Sequence, residues 1–472
     1  MKRMNNSVKS ICVISLWLAS VAGPVFAQET VNGNTTHNAY DVSEIKMVRV
    51  KSDRPVHVTL VGSDDDSLKV DRLSDKVMRV AYSVSRRDGA LVLTFFETTK
   101  QKQKTSREER ETWIDHLLNG DWNRNNYRDR DRNDFQITLP KNLDLDINTT
   151  DSYLAIHRLS GSVNAAGSDN HFEIDSLGTD LKVEGDDQRI TGNGIGGTVT
   201  INNHDGQVNL RSLNGAVSVK SDNSRVDLED VRDSVTLTVN DGSGNLRNIR
   251  GNVMINGSNS RFELDEIHGL AKLTGQDNQL DASDIQGLHF DGSDTRLSID
   301  HVNGADGVFI KNSDATVKLD EIHGPVKMSG SNLGVTLNYI HDEASLDLDD
   351  SHVSGYKIMK NITLKGGDTS IDLNEYQGRN FKAEEGSGHI TLGISSRMDS
   401  ISIKRRSGDV TIHMLESFNG YYHLVTHRGN INWTGRQNMQ IRRNGDQMEV
   451  SGGNKDQGNM MIELQRGDIR IN

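Results

Sequence analysis

The sequence predicts an all-β fold, a right-handed single-stranded parallel β-helix of about 18 coils of ~18 residues with a small N-terminal β cap domain. The main observation is an 18-residue unit, clearest in residues 252–269, NVMINGSNSRFELDEIHG. Numbered from Val253 as position 0, the unit has four further apolar positions: Ile255 at +2, Phe262 at +9, Leu264 at +11 and Ile267 at +14. Paired i, i+2 apolar residues at a fixed period indicate short strands that each bury one face against neighbouring coils.

The unit recurs along most of the chain, and position +2 is apolar in every copy from Ile147 to Ile462. Position +9 is apolar in every copy but one, where Gly244 stands. This spacing differs from the six-residue recurrence of left-handed hexapeptide helices, which favours the right-handed form. Position 0 is occupied by Leu145, Val163, Leu181, Val199, Val217, Val235, Val253, Ala271, Leu288, Val308, Val326, Ala344, Ile362, Phe381, Ile401, Tyr422, Met439 and Met460.

Residues 1–27 have the features of a secretory signal peptide. Basic residues precede an apolar run over residues 11–22, and a small-residue cleavage site ends at Ala27. We expect a mature chain that begins at Gln28, has no membrane span and, because Cys12 is the only cysteine, has no disulfide. The predicted localisation is exported: periplasmic, on the cell surface or secreted.

Three further segments follow the signal peptide. Residues 28–44 are polar and predict a flexible lead-in. Residues 45–143 alternate as strands do and predict a β-sheet cap that covers the unpaired edge of the first coil, and residues 144–472 form the β-helix. The cap contains a charged insertion, residues 97–134, with two interpretations: a solvated loop with one short docking helix, or a partner-binding arm that displays two tryptophans.

Position +6 carries Asp or Asn in thirteen successive coils, and we name these residues the turn column. Asp and Asn bond nearby backbone amides and tolerate left-handed backbone, so a structural turn explains the whole column. The alternative is calcium bridging between stacked carboxylates, which repel by roughly 1 kcal/mol per pair in water; no other cofactor is predicted. The turn column comprises Asp151, Asp169, Asp187, Asp205, Asn223, Asp241, Asn259, Asp277, Asp294, Asp314, Asn332, Asp350 and Asp368.

Positions +12 and +13 are rich in carboxylates. This acidic stripe is either a solvated, solubilising face or a docking surface for a basic partner or divalent ions. Its candidate binding residues are Asp265, Glu266, Asp284, Asp300, Asp320 and Glu321.

Position +15 aligns several nitrogen-bearing side chains, which we name the histidine column. His323 and His341 occupy adjacent coils and are placed to share a metal ion. The pattern shows no third ligand that converges on them, so we expect exposed turn histidines and predict no metal site. The column comprises His268, Gln286, Asn303, His323 and His341.

Charge and motifs exclude several functions. The formal net charge of −13 becomes −16 once the signal peptide is removed, and no basic stripe is evident, which argues against nucleic-acid binding. The chain has no phosphate-binding glycine loop, no H-E-x-x-H and no nucleophile elbow. We therefore predict no catalytic and no cofactor-binding residues.

The sequence FQITLPKNLDLDI, residues 135–147, and the repeats of the type G-x-V-x-h-x-x-S-[ND]-x-x-h-x-L-x-x-I-x-G (h, apolar) resemble the bacterial exported "putative adhesin" families. These include the head-domain type with a Gly-Ile-Asn motif. The resemblance covers roughly residues 45–472 and implies a β-helix at or beyond the cell envelope. It implies no functional residues, because the likeness is one of pattern.

The sequence thus predicts a non-enzymatic exported β-solenoid that acts as an envelope scaffold or adhesin-like binding protein. Its partner would be an envelope protein or a glycan. The alternative is a periplasmic polysaccharide lyase or hydrolase of the β-helix type, which regular coils without a cleft-building insertion argue against. Since the chain stops on an apparent strand, residues 469–471, we also expect either a charge-protected free edge or end-to-end pairing of two rods.

Overall fold

The computed structural model describes residues 37–73, 80–97, 134–414, 418–434 and 439–472. Within these ranges the regular structure consists of strands alone, as predicted. The predicted signal peptide lies outside the described residues, and so does the charged insertion apart from its first and last residues.

The strands fall into three groups. The N-terminal group is β1 (His37–Asp41), β2 (Met47–Ser52), β3 (His57–Ser63), β4 (Ser67–Arg72), β5 (Val80–Arg87), β6 (Ala90–Glu97) and β7 (Asp134–Pro140). The regular coils are formed by β8 (Asp144–Thr150), β9 (Tyr153–Leu159), β10 (Val163–Ser168), β11 (His171–Leu177), β12 (Leu181–Asp186), β13 (Gln188–Ile195), β14 (Val199–Asn203), β15 (Gly206–Leu213), β16 (Val217–Asp222), β17 (Ser224–Val231), β18 (Val235–Asn240), β19 (Ser243–Ile249), β20 (Val253–Ser258), β21 (Arg261–Gln276), β22 (Gln279–Ser293), β23 (Arg296–Ile322), β24 (Val326–Ile340), β25 (Ala344–Asp349), β26 (His352–Ile358), β27 (Ile362–Lys365), β28 (Ser370–Tyr376), β29 (Asn380–Glu384), β30 (Ile390–Ile394), β31 (Ser400–Ser407) and β32 (Val410–Met414). The C-terminal group is β33 (Gly420–Thr426), β34 (Ile431–Trp433), β35 (Gln440–Asn444), β36 (Gln447–Gly452), β37 (Asn454–Arg466) and β38 (Ile469–Ile471).

Each regular coil contributes two strand segments, and each segment pairs in parallel with its equivalent one coil away. For example, β10 lies between β8 and β12, and β11 lies between β9 and β13. Val163 is in register with Leu145 on one side and Leu181 on the other, as the 18-residue period requires. The apolar positions of all coils face one continuous hydrophobic core. The prediction of a parallel β-solenoid is confirmed.

The N-terminal strands continue this stack and close its end. β2 and β3 pair in parallel with β8 and β9, and on their other side with β6 and β7. The stack therefore runs without a break across the predicted domain boundary at residues 143 and 144. Antiparallel strands then cover the end: β5 pairs with β6, β4 with β7, and β1 with β4. The lead-in prediction is wrong for residues 37–41, because these form β1.

The C-terminal end repeats this arrangement. β37 lies between β31 and β33, and β38 lies between β32 and β34, so the last strands of the chain are inserted one coil inside the end of the stack. The expectation that residues 469–471 form an uncovered edge is therefore wrong. β36 pairs antiparallel with β33 and with β35, and Met439, predicted as the start of a coil, instead precedes this hairpin.

A second set of polar residues lies inside the turns. Position +7, directly after the turn column, carries Ser, Thr, Asn or Gln in many coils, and these side chains are buried. Asn170 is representative: its Nδ2 donates to Thr149 O at 2.8 Å, and its Oδ1 accepts from Ser152 N at 3.1 Å. Such bonds satisfy backbone groups that the turn would otherwise bury without partners. The buried residues at this position are Ser152, Asn170, Gln188, Ser224, Ser260, Asn278, Thr295, Ser351 and Thr369.

Candidate functional site

The turn column lies on the outside of the solenoid with the geometry that a turn requires. Eleven of its thirteen residues have a left-handed backbone, with φ between 46° and 56°; the exceptions are Asp205 and Asp368. Two of its three asparagines bond the carboxylate of the preceding coil: Asn259 Nδ2 donates to Asp241 Oδ1 at 3.1 Å, and Asn332 Nδ2 donates to Asp314 Oδ1 at 3.0 Å. At such places the amide removes the repulsion between stacked carboxylates, which a bound cation would otherwise neutralise. Burial and then the neighbouring carboxylate of Asp169 raise the pKa of Asp151 above its usual value, as stacked acids should.

The acidic stripe is only partly acidic in three dimensions. Basic or imidazole groups lie within 4.0 Å of four of its six residues. Arg247 Nε lies 3.4 Å from Asp265 Oδ2, and Lys318 Nζ lies 3.7 Å from Asp320 Oδ2. Such exposed pairs add little stability, but they reduce the negative potential of this face.

Position +13, which we name the edge column, has a left-handed backbone in thirteen coils. Asn and Gly suit this conformation, whereas long and bulky side chains adopt it at a cost of about 1–2 kcal/mol. The turn column contains only Asp and Asn, but the edge column accepts many other residues, so its side chains are not explained by backbone preference. The edge column comprises Arg158, Ser176, Gly194, Ser212, Asp230, Asn248, Glu266, Asp284, His301, Glu321, Tyr339, Lys357 and Glu375.

In the middle of the edge column the structure assembles a cluster of imidazoles and carboxylates. The rings of His323 and His341 stack with centroids 4.1 Å apart and planes at 15°. Glu321 joins them, and one ligand atom from each of the three residues lies within 4.8 Å of the others. On its other side, Glu321 Oε2 lies 3.0 Å from His301 Nε2. We name these four residues the His–Glu cluster. Sequence reasoning paired the two histidines but missed Glu321 as a third member.

The surroundings shift the pKa values of two histidines of the cluster in opposite directions. Burial alone would lower the pKa of His301, but the carboxylates of Asp300 and Glu321 outweigh it and hold the pKa above its usual value. Burial, and then the charge on His323, lower the pKa of His341. At neutral pH the stacked pair therefore favours the uncharged form at His341.

The next coils carry an exposed aromatic platform, which consists of Tyr339, Tyr356, Lys357 and Glu375. Tyr339 is 38% exposed, has a φ of 51°, and meets Tyr356 edge to face at 5.7 Å. Lys357 Nζ lies 5.4 Å from the ring centre of Tyr339 and 5.2 Å from that of Tyr356. The Tyr356 hydroxyl donates to Glu375 Oε1 at 3.2 Å. A large aromatic side chain in a left-handed conformation at the surface is an outlier that invites a functional explanation.

Glu266 offers a test of the backbone cost in the edge column. It is exposed and has a φ of 55°. We expect Glu266→Asn to raise the free energy of unfolding by about 0.5–1 kcal/mol, because Asn adopts the left-handed region more easily. Urea denaturation followed by circular dichroism measures it. The control is Glu263→Asn, in the extended part of the same strand, which should bring no gain; equal gains in both variants would refute the backbone explanation.

The fold and this surface define a β-solenoid that presents ordered columns of side chains along one edge. Residues 350–472, which include β26–β38, match the family model described as Toastrack DUF4097. The finer resemblance to the Gly-Ile-Asn head-domain type stays a prediction. No curated protein matches the chain.

Among solved structures, the chain is similar to a "putative cell adhesion protein" from Clostridium sporogenes ATCC 15579. The identity is 7%, the alignment covers 93% of this chain and 99% of that chain, and the TM-score is 0.15. The described part of the chain contains no helix long and apolar enough to span a membrane.

Proposed function

We propose that this chain is a non-enzymatic, exported β-solenoid of the cell envelope that acts as an adhesin-like binding protein on a rigid scaffold. The observation that carries the proposal is Tyr339, an exposed aromatic ring held in a costly left-handed backbone and oriented by Tyr356 and Lys357. The ladder of parallel strands supports it, because such coils hold surface side chains at fixed spacing. Export rests on the signal-peptide features of residues 1–27.

The chemistry of the platform favours a glycan as the ligand. Aromatic rings offer apolar faces on which sugar rings stack, and they keep a polar edge in water. Glu375 accepts hydrogen bonds and Lys357 donates them, as sugar hydroxyls require. The platform lies open on the outside of the rod, so an extended polysaccharide has access to it from both ends.

The test is to incubate the purified protein with a panel of acidic and neutral bacterial polysaccharides and to measure retention and product release together. We expect at least one polysaccharide to be retained without release of product. Tyr339→Ala should weaken that binding by about tenfold or more, because the loss of an aromatic anchor in a binding site costs about 2 kcal/mol.

The matched control is Tyr421→Ala at the C-terminal end of the rod, where Lys455 Nζ lies 5.2 Å from the ring centre of Tyr421. It combines the same two chemical groups outside the edge column, and its variant should bind as the wild type does. Release of product would instead establish the polysaccharide lyase or hydrolase alternative. Equal losses in both variants would remove the platform as the binding site.

A further inference from the structure

We propose that Glu321, His323 and His341 bind one divalent transition-metal ion of the zinc type. The three residues come from two adjacent coils, and one ligand atom of each lies within 4.8 Å of the other two. This spacing is close enough that rotation of the side chains brings the three atoms to zinc-binding distances of about 2.0–2.2 Å from a shared ion. The inference is independent of glycan binding, since it concerns a different group of side chains.

The donor set selects the class of metal. Two imidazole nitrogens and one carboxylate oxygen suit Zn²⁺, Cu²⁺ or Ni²⁺, whereas Ca²⁺ and Mg²⁺ prefer oxygen donors alone. Three protein ligands leave a coordination position open to water. The site is therefore distinct from the calcium bridging that stacked carboxylates of the turn column suggest.

The backbone and the neighbouring residues hold the ligands in place. His323 N donates to Val302 O at 2.9 Å, and His341 N donates to Ile322 O at 2.8 Å, so both histidines are fixed by bonds between coils. Glu321 is oriented by His301, whose other ring nitrogen lies 3.0 Å from Asp300 Oδ1. Such outer hydrogen-bonded partners are typical of metal sites, where they fix the orientation of a ligand.

The stacked rings must turn for an ion to bind. A ring nitrogen coordinates a metal in the plane of its own ring, and the parallel planes of His323 and His341 do not converge on one point. Side-chain exposure of 43% at His323 leaves room for that rotation. Metal binding should therefore replace the stack with two rings tilted toward a common ion, a change that histidine NMR signals report.

The experiment is zinc binding to tag-free protein at neutral pH, measured by isothermal titration calorimetry and equilibrium dialysis. We expect one saturable site per chain and a rise in Tm with zinc. The double variant His323→Ala/His341→Ala should lose the site, and Glu321→Gln should weaken it by about tenfold or more. Cobalt substitution should give the absorption bands of a four-coordinate ion.

The chain has 16 histidines, so the control matters. His268→Ala removes an exposed histidine from the same column, whose neighbour in the next coil is Gln286 and not a second histidine, and this variant should bind zinc as the wild type does. Circular dichroism of each variant shows that it is folded. Wild-type zinc binding that persists in the folded double variant, or no zinc binding by the wild type, would overturn the proposal.

Discussion

Substituting Gly330 by alanine should be among the most damaging single changes in this protein, with a loss of at least about 4 kcal/mol. Gly330 has a φ of 149°, and a Cβ atom there would lie 1.6 Å from the backbone oxygen of Asn312 in the preceding coil. No side chain can rotate to relieve an overlap with backbone, so the two coils would have to separate. The cost adds to that of an L-residue in a backbone region reserved for glycine, about 1–3 kcal/mol.

The same strand provides the control. Gly334, four residues later in β24, has no atom within 4 Å of the place where its Cβ would lie. Gly334→Ala should be neutral or stabilise by up to about 1 kcal/mol, because glycine weakens an extended strand. Urea denaturation compares the variants, and hydrogen exchange shows whether protection is lost first in β23, β24 and β25. If the two variants unfold at the same urea concentration, close contact between coils does not set stability here.

The regular coils could be predicted because the structure of each coil depends on the apolar and polar residues at its own repeat positions. Position 0 of one copy is enough to predict which residues enter the core, as the in-register pairing of Val163 with Leu145 and Leu181 shows. The turn column was also readable, since Asp and Asn are the residues that tolerate its left-handed backbone. In each case the residue types follow from the backbone that they occupy.

The order of the end coils was not predictable in the same way. A copy of the unit has the same pattern wherever it lies in the stack, so the sequence of β37 does not reveal that it inserts between β31 and β33. A signal did exist for the hairpin β35–β36: Gly445-Asp446 forms its two-residue loop, and Gly445, with a φ of 58°, occupies the first central position, where tight β-hairpins favour glycine. The 18-residue period instead predicted that Met439 begins a coil, so the hairpin was not predicted.

The sequence predicted only part of the candidate site. The histidine column placed His323 beside His341 because both occupy the same position of the repeat. Glu321 belongs to another position, and its approach depends on the left-handed turn at +13, which directs the side chain toward the histidine column. The residue types at position +13 do not indicate a left-handed turn. Contacts between different columns thus depend on backbone geometry that the apolar period does not encode.

Arg405→Met should destabilise the C-terminal coils by at least about 3 kcal/mol. Arg405 is only 2% exposed and lies inside the rod at position +4 of its coil. Its Nη1 donates to Glu385 O at 2.7 Å, and its Nη2 donates to Thr369 O at 2.6 Å and to Ser387 O. Burial lowers the pKa of the guanidinium, yet a group with so high a usual value stays charged at neutral pH. Methionine fills much of the volume but removes the hydrogen bonds that Arg405 donates to three carbonyl oxygens.

Arg405 takes the role that position +7 has in other coils, which is to hydrogen-bond the backbone of the turn. Most coils satisfy their inner turn with a buried polar residue at +7, but Gly388 and Gly408 occupy that position in the two coils around Arg405. One long side chain therefore supplies the donors that several short ones supply elsewhere. Arg406→Met is the control: its side chain is exposed, and the change should stay within about 0.5 kcal/mol. Urea denaturation and hydrogen exchange of β28 to β32 compare the two variants, and similar stabilities would show that the interior bonds of Arg405 do not hold these coils together.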